Sequence, residues 1–100
     1  MTELTGKQRR YLRSLGNRLK ATVHIGKEGI SDALLASLET EFVHRELVKL
    51  HVNPNCEMTP KEVAQALPGV ADAHWVQTIG RSVVLYRPLE EPEIVLPAAS

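Results

Sequence analysis

The apolar positions of the chain fall into short periodic blocks separated by glycine, proline and asparagine, and each block reads as one element. Leu4, Tyr11, Leu12 and Leu15, with Gln8 among them, recur at helical spacing and predict the inner face of a first helix. Thr5 and Gln8 make a capping box at its start, and Gly16 closes it. Ala21-Thr22-Val23-His24-Ile25 is rich in β-branched residues and predicts a strand ended by Gly26. Ser31 caps a second helix with Asp32 in its first turn. Leu34, Leu35, Leu38 and Phe42 give that helix an apolar stripe, which fades near His44 and Arg45. From Leu47 to Val52 the period changes to two: Val48, Leu50 and Val52 face one way, Lys49 and His51 the other, up to the turn Asn53-Pro54-Asn55.

Thr59-Pro60-Lys61-Glu62 is the clearest helix start, with a cap, a proline at the first helical position and a glutamate completing the box. Val63, Ala64, Ala66 and Leu67 form its apolar side, and Pro68-Gly69 is expected to break it. Ala73 to Ile79 predicts a third strand, which holds the only tryptophan, Trp75; Gly80-Arg81 then turns into a fourth strand, Ser82 to Arg87. The order is helix-strand-helix-strand-helix-strand-strand. Helix-linked strands favour parallel pairing and the final hairpin must be antiparallel. The expected fold class is therefore α/β: one compact domain over residues 1–88, a mixed four-stranded sheet with three helices. Residues 89–100 are expected to form a loosely ordered tail, acidic and containing proline.

Composition adds boundaries. The chain is 43% hydrophobic and 24% charged, an ordinary globular balance. No apolar run approaches the roughly 18 residues of a membrane span, and the N-terminus lacks the apolar core of a secretory signal. A lone Cys56 makes no internal disulfide, so stability must come from packing, and a cytoplasmic location is the default expectation. The net charge of zero hides an asymmetry: residues 1–27 carry Lys7, Arg9, Arg10, Arg13, Arg18, Lys20 and Lys27 against Glu3 alone. Residues 28–100 carry the compensating acidic excess, so one surface is expected to hold a polyanion while the far side stays acidic.

Gly26-Lys27-Glu28-Gly29 sits where strand, loop and helix start coincide. Glycine there permits positive φ and close approach of another backbone, the following helix start offers free N–H groups, and Lys27 adds a point charge. The arrangement is comparable to the glycine loop with which KH domains clamp a nucleic-acid backbone. Two glycines at this spacing equally suit a plain turn, and Glu28 repels phosphate unless it points outward.

Several motifs together resemble the bacterial YhbY-type proteins, stand-alone copies of the CRM (chloroplast RNA splicing and ribosome maturation) domain. They are Leu4-Thr5-Gly6-Lys7-Gln8-Arg9-Arg10-Tyr11-Leu12-Arg13, Val23-His24-Ile25-Gly26-Lys27-Glu28-Gly29-Ile30, Glu46-Leu47-Val48-Lys49, and Val76-Gln77-Thr78-Ile79-Gly80-Arg81 with Leu85-Tyr86-Arg87. The resemblance implies a fold like the C-terminal domain of translation initiation factor three. It also implies binding to ribosomal RNA in precursors of the large ribosomal subunit, without catalysis, cofactor or small-molecule substrate. Gly26, Lys27 and Gly29 would then hold the RNA backbone, and Lys7, Arg9, Arg10 and Arg13 would be the adjacent basic surface. Arg18 and Lys20 continue that surface, and Arg81 in the hairpin turn is a further candidate phosphate contact.

Other chemistries find less support. His24, His44, His51 and His74 have no partner at metal-ligand spacing, and Cys56 near His51 lacks an orienting third group. Trp75 and Tyr86 are candidates for base stacking, but both sit in strand patterns that suit packing. Basic helices are also often merely solvated, and a protein-binding adaptor that docks an acidic partner through the first helix is the alternative function class.

Overall fold

The computed structural model describes residues 3–98. Three helices, α1 (Gly6–Gly16), α2 (Asp32–His44) and α3 (Pro60–Ala71), alternate with strands β1 (Val23–Ile25), β2 (Leu47–Val52), β3 (His74–Ile79) and β4 (Ser82–Tyr86). The strands form one sheet in the order β1-β2-β4-β3. β1 runs parallel to β2, with Val23 opposite Leu50 and Ile25 opposite Val52. β2–β4 and β4–β3 are antiparallel. The expected element order and mixed sheet are thus present.

Both faces of the sheet are covered. On one, α2 and α3 bury Val23, Ile25, Val48, Leu50, Val52, Val83 and Leu85 with Leu34, Leu38, Phe42, Val63 and Leu67. On the other, Leu4 just before α1 and Leu12 within it pack with Leu47, Val76, Val84 and Tyr86. α1 lies close at Gly16, where a Cβ would stand 3.2 Å from Val84 Cγ1. That near contact, tighter than most side chains tolerate, gives Gly16 a packing role in place of the expected closing one; the cap is Asn17, in the right-handed conformation. The inner face of α1 follows Gln8, Leu12 and Gly16, each four residues apart, so Tyr11 turns outward and is exposed, contrary to its expected inward position.

α3 corrects a second expectation. Pro68-Gly69 does not break it: the helix continues to Ala71, and Asp72 caps it in the left-handed conformation at φ 52°. The N–H groups of Asp72 and Ala73 both donate to the Pro68 carbonyl, so proline lies inside the last turn and its carbonyl helps close it. Ala66, expected on the apolar side, is exposed; Val63, Leu67 and Ala71 are the buried positions.

Arg87 fastens the far ends of α2 and α3. Its guanidinium donates to both Glu39 carboxylate oxygens at 2.7 and 2.9 Å, to the Asp72 carbonyl at 3.1 Å and to the Ala71 carbonyl, and it lies 4.5 Å over the Phe42 ring. This bidentate pair holds the Glu39 carboxyl below its ordinary range.

Glu46, at the entry to β2, is buried. Its carboxylate accepts the backbone N–H groups of Leu89, Glu93 and Ile94 at 3.1, 2.8 and 2.7 Å. Residues 89–98, expected to be loosely ordered, hold no helix or strand and are tied at these three amides; Ile94 and Leu96 pack on the α1 side of the sheet. Replacing Glu46 with Ala is expected to release this segment and to lower stability by about 1–3 kcal/mol, the usual cost of orphaning buried donors. Amide hydrogen exchange reads the result: protection should fall at Leu89, Glu93 and Ile94. Unchanged protection there would mean that Ile94 and Leu96 hold the segment by themselves.

Candidate nucleic-acid interface

β1 is an edge strand held to α2 by Val23 and Ile25, so the chain must reverse between Ile25 and Ser31 to place the helix over the sheet. Gly26 to Gly29 make this reversal as a tight turn, with the Gly29 N–H donating to the Gly26 carbonyl at 3.0 Å. Gly29 lies at φ +64°, a region costly for any residue with a Cβ. Lys27 and Glu28 occupy the two corners and are exposed. The Ser31 hydroxyl then accepts the Leu34 N–H at 3.1 Å and starts α2.

The turn opens onto a depression of about 340 Å³ between the free edge of β1 and α2. Thr22 and His24 form one wall, Ala33 and Ser37 the other, and the glycine turn closes the end. The hydroxyls of Thr22, Ser31 and Ser37 alternate with Val23, Ala33 and Leu34 along the groove, and Lys27 and Glu28 line it at the turn. Such a surface suits an extended, hydrogen-bonding anionic chain better than a compact apolar ligand. Asp32 in the first turn of α2 already satisfies the helix dipole, and Glu28 adds a second carboxylate nearby, so phosphate attraction at the turn rests on Lys27 and the glycine backbone.

Sequence reasoning did not single out Thr22, Ser37, Asn53 or Asn55 for this place. The Asn53 and Asn55 side chains come within 4.0 Å of where a Gly26 Cβ would stand. Parallel pairing explains why: β1 and β2 end level with each other, so the turn leaving β2 must adjoin the turn leaving β1, and the Asn53 N–H donates to the Ile25 carbonyl at 2.8 Å. The signal existed in the pairing, but not in either turn alone.

Arg81 is at this end of the sheet too. Its Nε donates to the Val52 carbonyl at 2.7 Å and Nη2 to the Asn53 carbonyl at 3.0 Å. It therefore braces the β2 exit turn beside Gly26, with the rest of its guanidinium exposed.

The basic helix is placed differently from expectation. It does not adjoin the glycine turn: α1 covers the opposite face of the sheet, against β2, β3 and β4, whereas α2 lies on β1 and β2. Lys7, Arg10 and Arg13 are exposed at spacing three and form one stripe. Arg9 is not part of it: half-buried, it donates from Nε to the Trp75 carbonyl at 3.3 Å and sits 5.6 Å over the Trp75 ring, pinning α1 to β3. Arg18 and Lys20, both exposed, lie on the connection that carries the chain from α1 back to Thr22 at the groove wall. The structure thus gathers Gly26, Lys27, Glu28, Gly29 and Arg81 at one sheet end. Lys7, Arg10 and Arg13 stand apart, with Arg18 and Lys20 between in chain order.

Among the described residues no cluster of histidine, cysteine or acidic groups has metal-binding geometry, and Cys56 is buried. No helix among them is long and apolar enough to cross a membrane.

Comparison with known proteins places this geometry in context. The CRS1/YhbY (CRM) domain model matches residues 4–87. A Bacillus subtilis protein named Probable RNA-binding protein YqeI is 40% identical over 95 residues, covering 94% of this chain and 99% of its own length. A Haemophilus influenzae protein named RNA-binding protein is 38% identical over 97 residues, covering 97% of this chain and 98% of its own. The solution structure of a candidate RNA-binding protein from Staphylococcus aureus superposes with a TM-score of 0.77 at 40% identity, covering 94% of this chain and 99% of that one.

The two glycines of the turn differ in what they tolerate. A methyl group at Gly26 would meet only ordinary contacts, the nearest at 3.7 Å, whereas Gly29 needs its positive φ. Gly29→Ala is expected to cost about 1–2 kcal/mol in folding stability and Gly26→Ala much less. Chemical denaturation midpoints test this; equal losses would contradict the assigned strain at Gly29.

Proposed function

The chain belongs to the CRS1/YhbY (CRM) domain family, and from that membership we propose that it is an RNA-binding protein without catalytic activity. Its RNA is ribosomal RNA within precursors of the large ribosomal subunit, bound in the cytoplasm during maturation. The observation that carries this reading is the groove at the β1 edge, where Thr22, His24 and Ser37 offer hydrogen-bonding groups and the Gly26–Gly29 turn, with Lys27 exposed, closes one end. The names of the relatives, given as RNA-binding proteins, support the ligand class.

In this reading a phosphate of the RNA backbone lies against Gly26 and Gly29, Lys27 neutralises it, and the sugar edge follows Thr22, His24 and Ser37 along the groove. Asn53 and Asn55, beside Gly26, offer amide groups to the same backbone. Contacts of this kind position RNA without reading its sequence. The stripe of Lys7, Arg10 and Arg13 adds attraction on another surface, so the bound RNA contacts more than the groove. Arg9 and Arg81 act chiefly by holding Trp75 and the β2 exit turn in place.

Crosslinking in cells followed by identification of the bound RNA tests the ligand: large-subunit ribosomal RNA is expected, and recovery of transfer or messenger RNA alone would overturn the ribosomal assignment. At the turn, Lys27→Ala is expected to weaken binding across sequences and to reduce the slope of log affinity against log salt by about one. Glu28→Lys is expected to tighten binding with a steeper slope. Titrations of a large-subunit RNA fragment at several salt concentrations measure both, and slopes identical to that of the unaltered protein would remove the turn from the RNA backbone.

A further inference from the structure

The other edge of the sheet carries a second depression. It has a volume of about 440 Å³ and lies between β3 and α3, lined by Trp75 and Thr78 from the strand and Lys61, Ala64 and Gln65 from the helix. A register shift in β3 between Trp75 and Gln77 brings Thr78 to the same face as Trp75. The shift lets Val76 and Gln77 both serve the α1 side: Val76 joins that core, and the Gln77 amide donates to Asn17 Oδ1 at 2.8 Å. Trp75 is left on the α3 side, half-buried at the edge.

The indole is held in one orientation. Its Nε1–H donates to the Thr78 hydroxyl at 3.0 Å, and Arg9 arrives from α1 with its guanidinium 5.6 Å from the ring centroid. Lys61 places a cation at the α3 wall, while the neighbouring Glu62 carboxylate is engaged by the Thr59 N–H at 2.9 Å in the helix cap. A fixed aromatic face, small neighbours at Ala64 and Thr78, and the Lys61 cation on α3 form one surface.

We propose that this depression is a second RNA contact, in which one unstacked nucleobase lies against Trp75 while Lys61 meets the adjoining phosphate. The proposal rests on the RNA-binding reading above and adds to it a single-stranded segment, since a base inside a duplex cannot reach the ring. Charge complementarity selects this occupant: an apolar peptide side chain would gain nothing from Lys61, whereas a nucleotide carries both a planar ring for the indole and an anion for the lysine. The basic stripe of α1 lies on the helix that supplies Arg9. The chain thus meets RNA at both sheet edges, by backbone at β1 and by base at β3.

Trp75 is the only tryptophan, so its emission reports this place alone. The full-length protein is titrated with a fluorescein-labelled single-stranded oligoadenylate, following anisotropy of the label for binding. Unlabelled oligoadenylate and an abasic strand of equal length are used to follow Trp75 emission. The expected result is quenching by oligoadenylate and none by the abasic strand at matched saturation. Ala64→Met fills the depression from its wall; it should keep the thermal melting curve of the parent and lose about tenfold in affinity, the size of one stacked base. Anisotropy that shows binding, with unchanged Trp75 emission and parental affinity for Ala64→Met, would overturn the proposal and leave the groove at β1 standing. Absence of any RNA binding would overturn both.

Discussion

The sheet is buried on both faces, and the rest of the molecule answers to that constraint. β2 and β4 occupy its centre and alternate their apolar side chains between two cores: Val48, Leu50, Val52, Val83 and Leu85 to one side, Leu47, Val84 and Tyr86 to the other. A hundred residues supply only three helices to cover two faces. α2 and α3 together close one, and α1 closes the other with help from the segment that Glu46 ties down. This division explains the close approach at Gly16: a single helix spanning three strands must lie low enough to exclude water from Val84 and Tyr86. It also explains why Glu46 is buried with a charge-bearing side chain. Three backbone amides surround its carboxylate, and they hold the chain where Ile94 and Leu96 complete the cover.

With both faces filled, the sheet itself has only its edges free. β1 and β3 each have one free side, and each lies beside a helix on the same face, α2 at β1 and α3 at β3. The edge groups and the helix walls make the two depressions. At β1 hydroxyl-bearing and small apolar residues share the walls and the end is a glycine turn; at β3 the wall holds an indole. The two differ because β1 is short and ends in a reversal into a helix, whereas β3 is regular except where its bulge displaces Trp75. The same fold therefore offers hydrogen bonds at one edge and an aromatic surface at the other.

The fold was largely legible in the sequence because its signals are local. Capping boxes at Thr5 and Thr59, the cap at Ser31 and the period-two run from Leu47 to Val52 each specify an element without reference to the rest. Pro68 misled because the helix tolerates the one N–H···O bond to Ala64 that a proline removes, and closes just beyond it with two N–H groups on the Pro68 carbonyl. The glycine turn was legible as a place, but its neighbours were not: Asn53, Thr22 and Ser37 reach it only through pairing and packing. Arg9 and Arg87 were opaque for a related reason. Charge says nothing of the ring a guanidinium covers, and their partners Trp75 and Glu39 lie 66 and 48 residues away.

Net charge is a poor guide to how this chain meets a polyanion. At physiological ionic strength charges are screened over about 8 Å, far less than the 40 Å long axis of the molecule. RNA therefore responds to the charges near its point of contact and not to their sum. The sequence suggested a basic surface with the acidic excess kept on the far side. The structure instead brings Glu90, Glu91 and Glu93, all exposed, along a segment that packs on the α1 layer, with the Pro97 carbonyl accepting from Gln8 at 3.2 Å. Among the described residues the one ion pair is Arg87 with Glu39, so these glutamates do not neutralise Lys7, Arg10 or Arg13 by direct contact. Lys20 and Lys27 lie outside the α1 layer, on the chain that leads to and from β1. Lys7, Arg10 and Arg13 thus keep their charge towards solvent, whereas at the β1 edge Lys27 stands beside Glu28 and Asp32, so the groove offers geometry more than attraction.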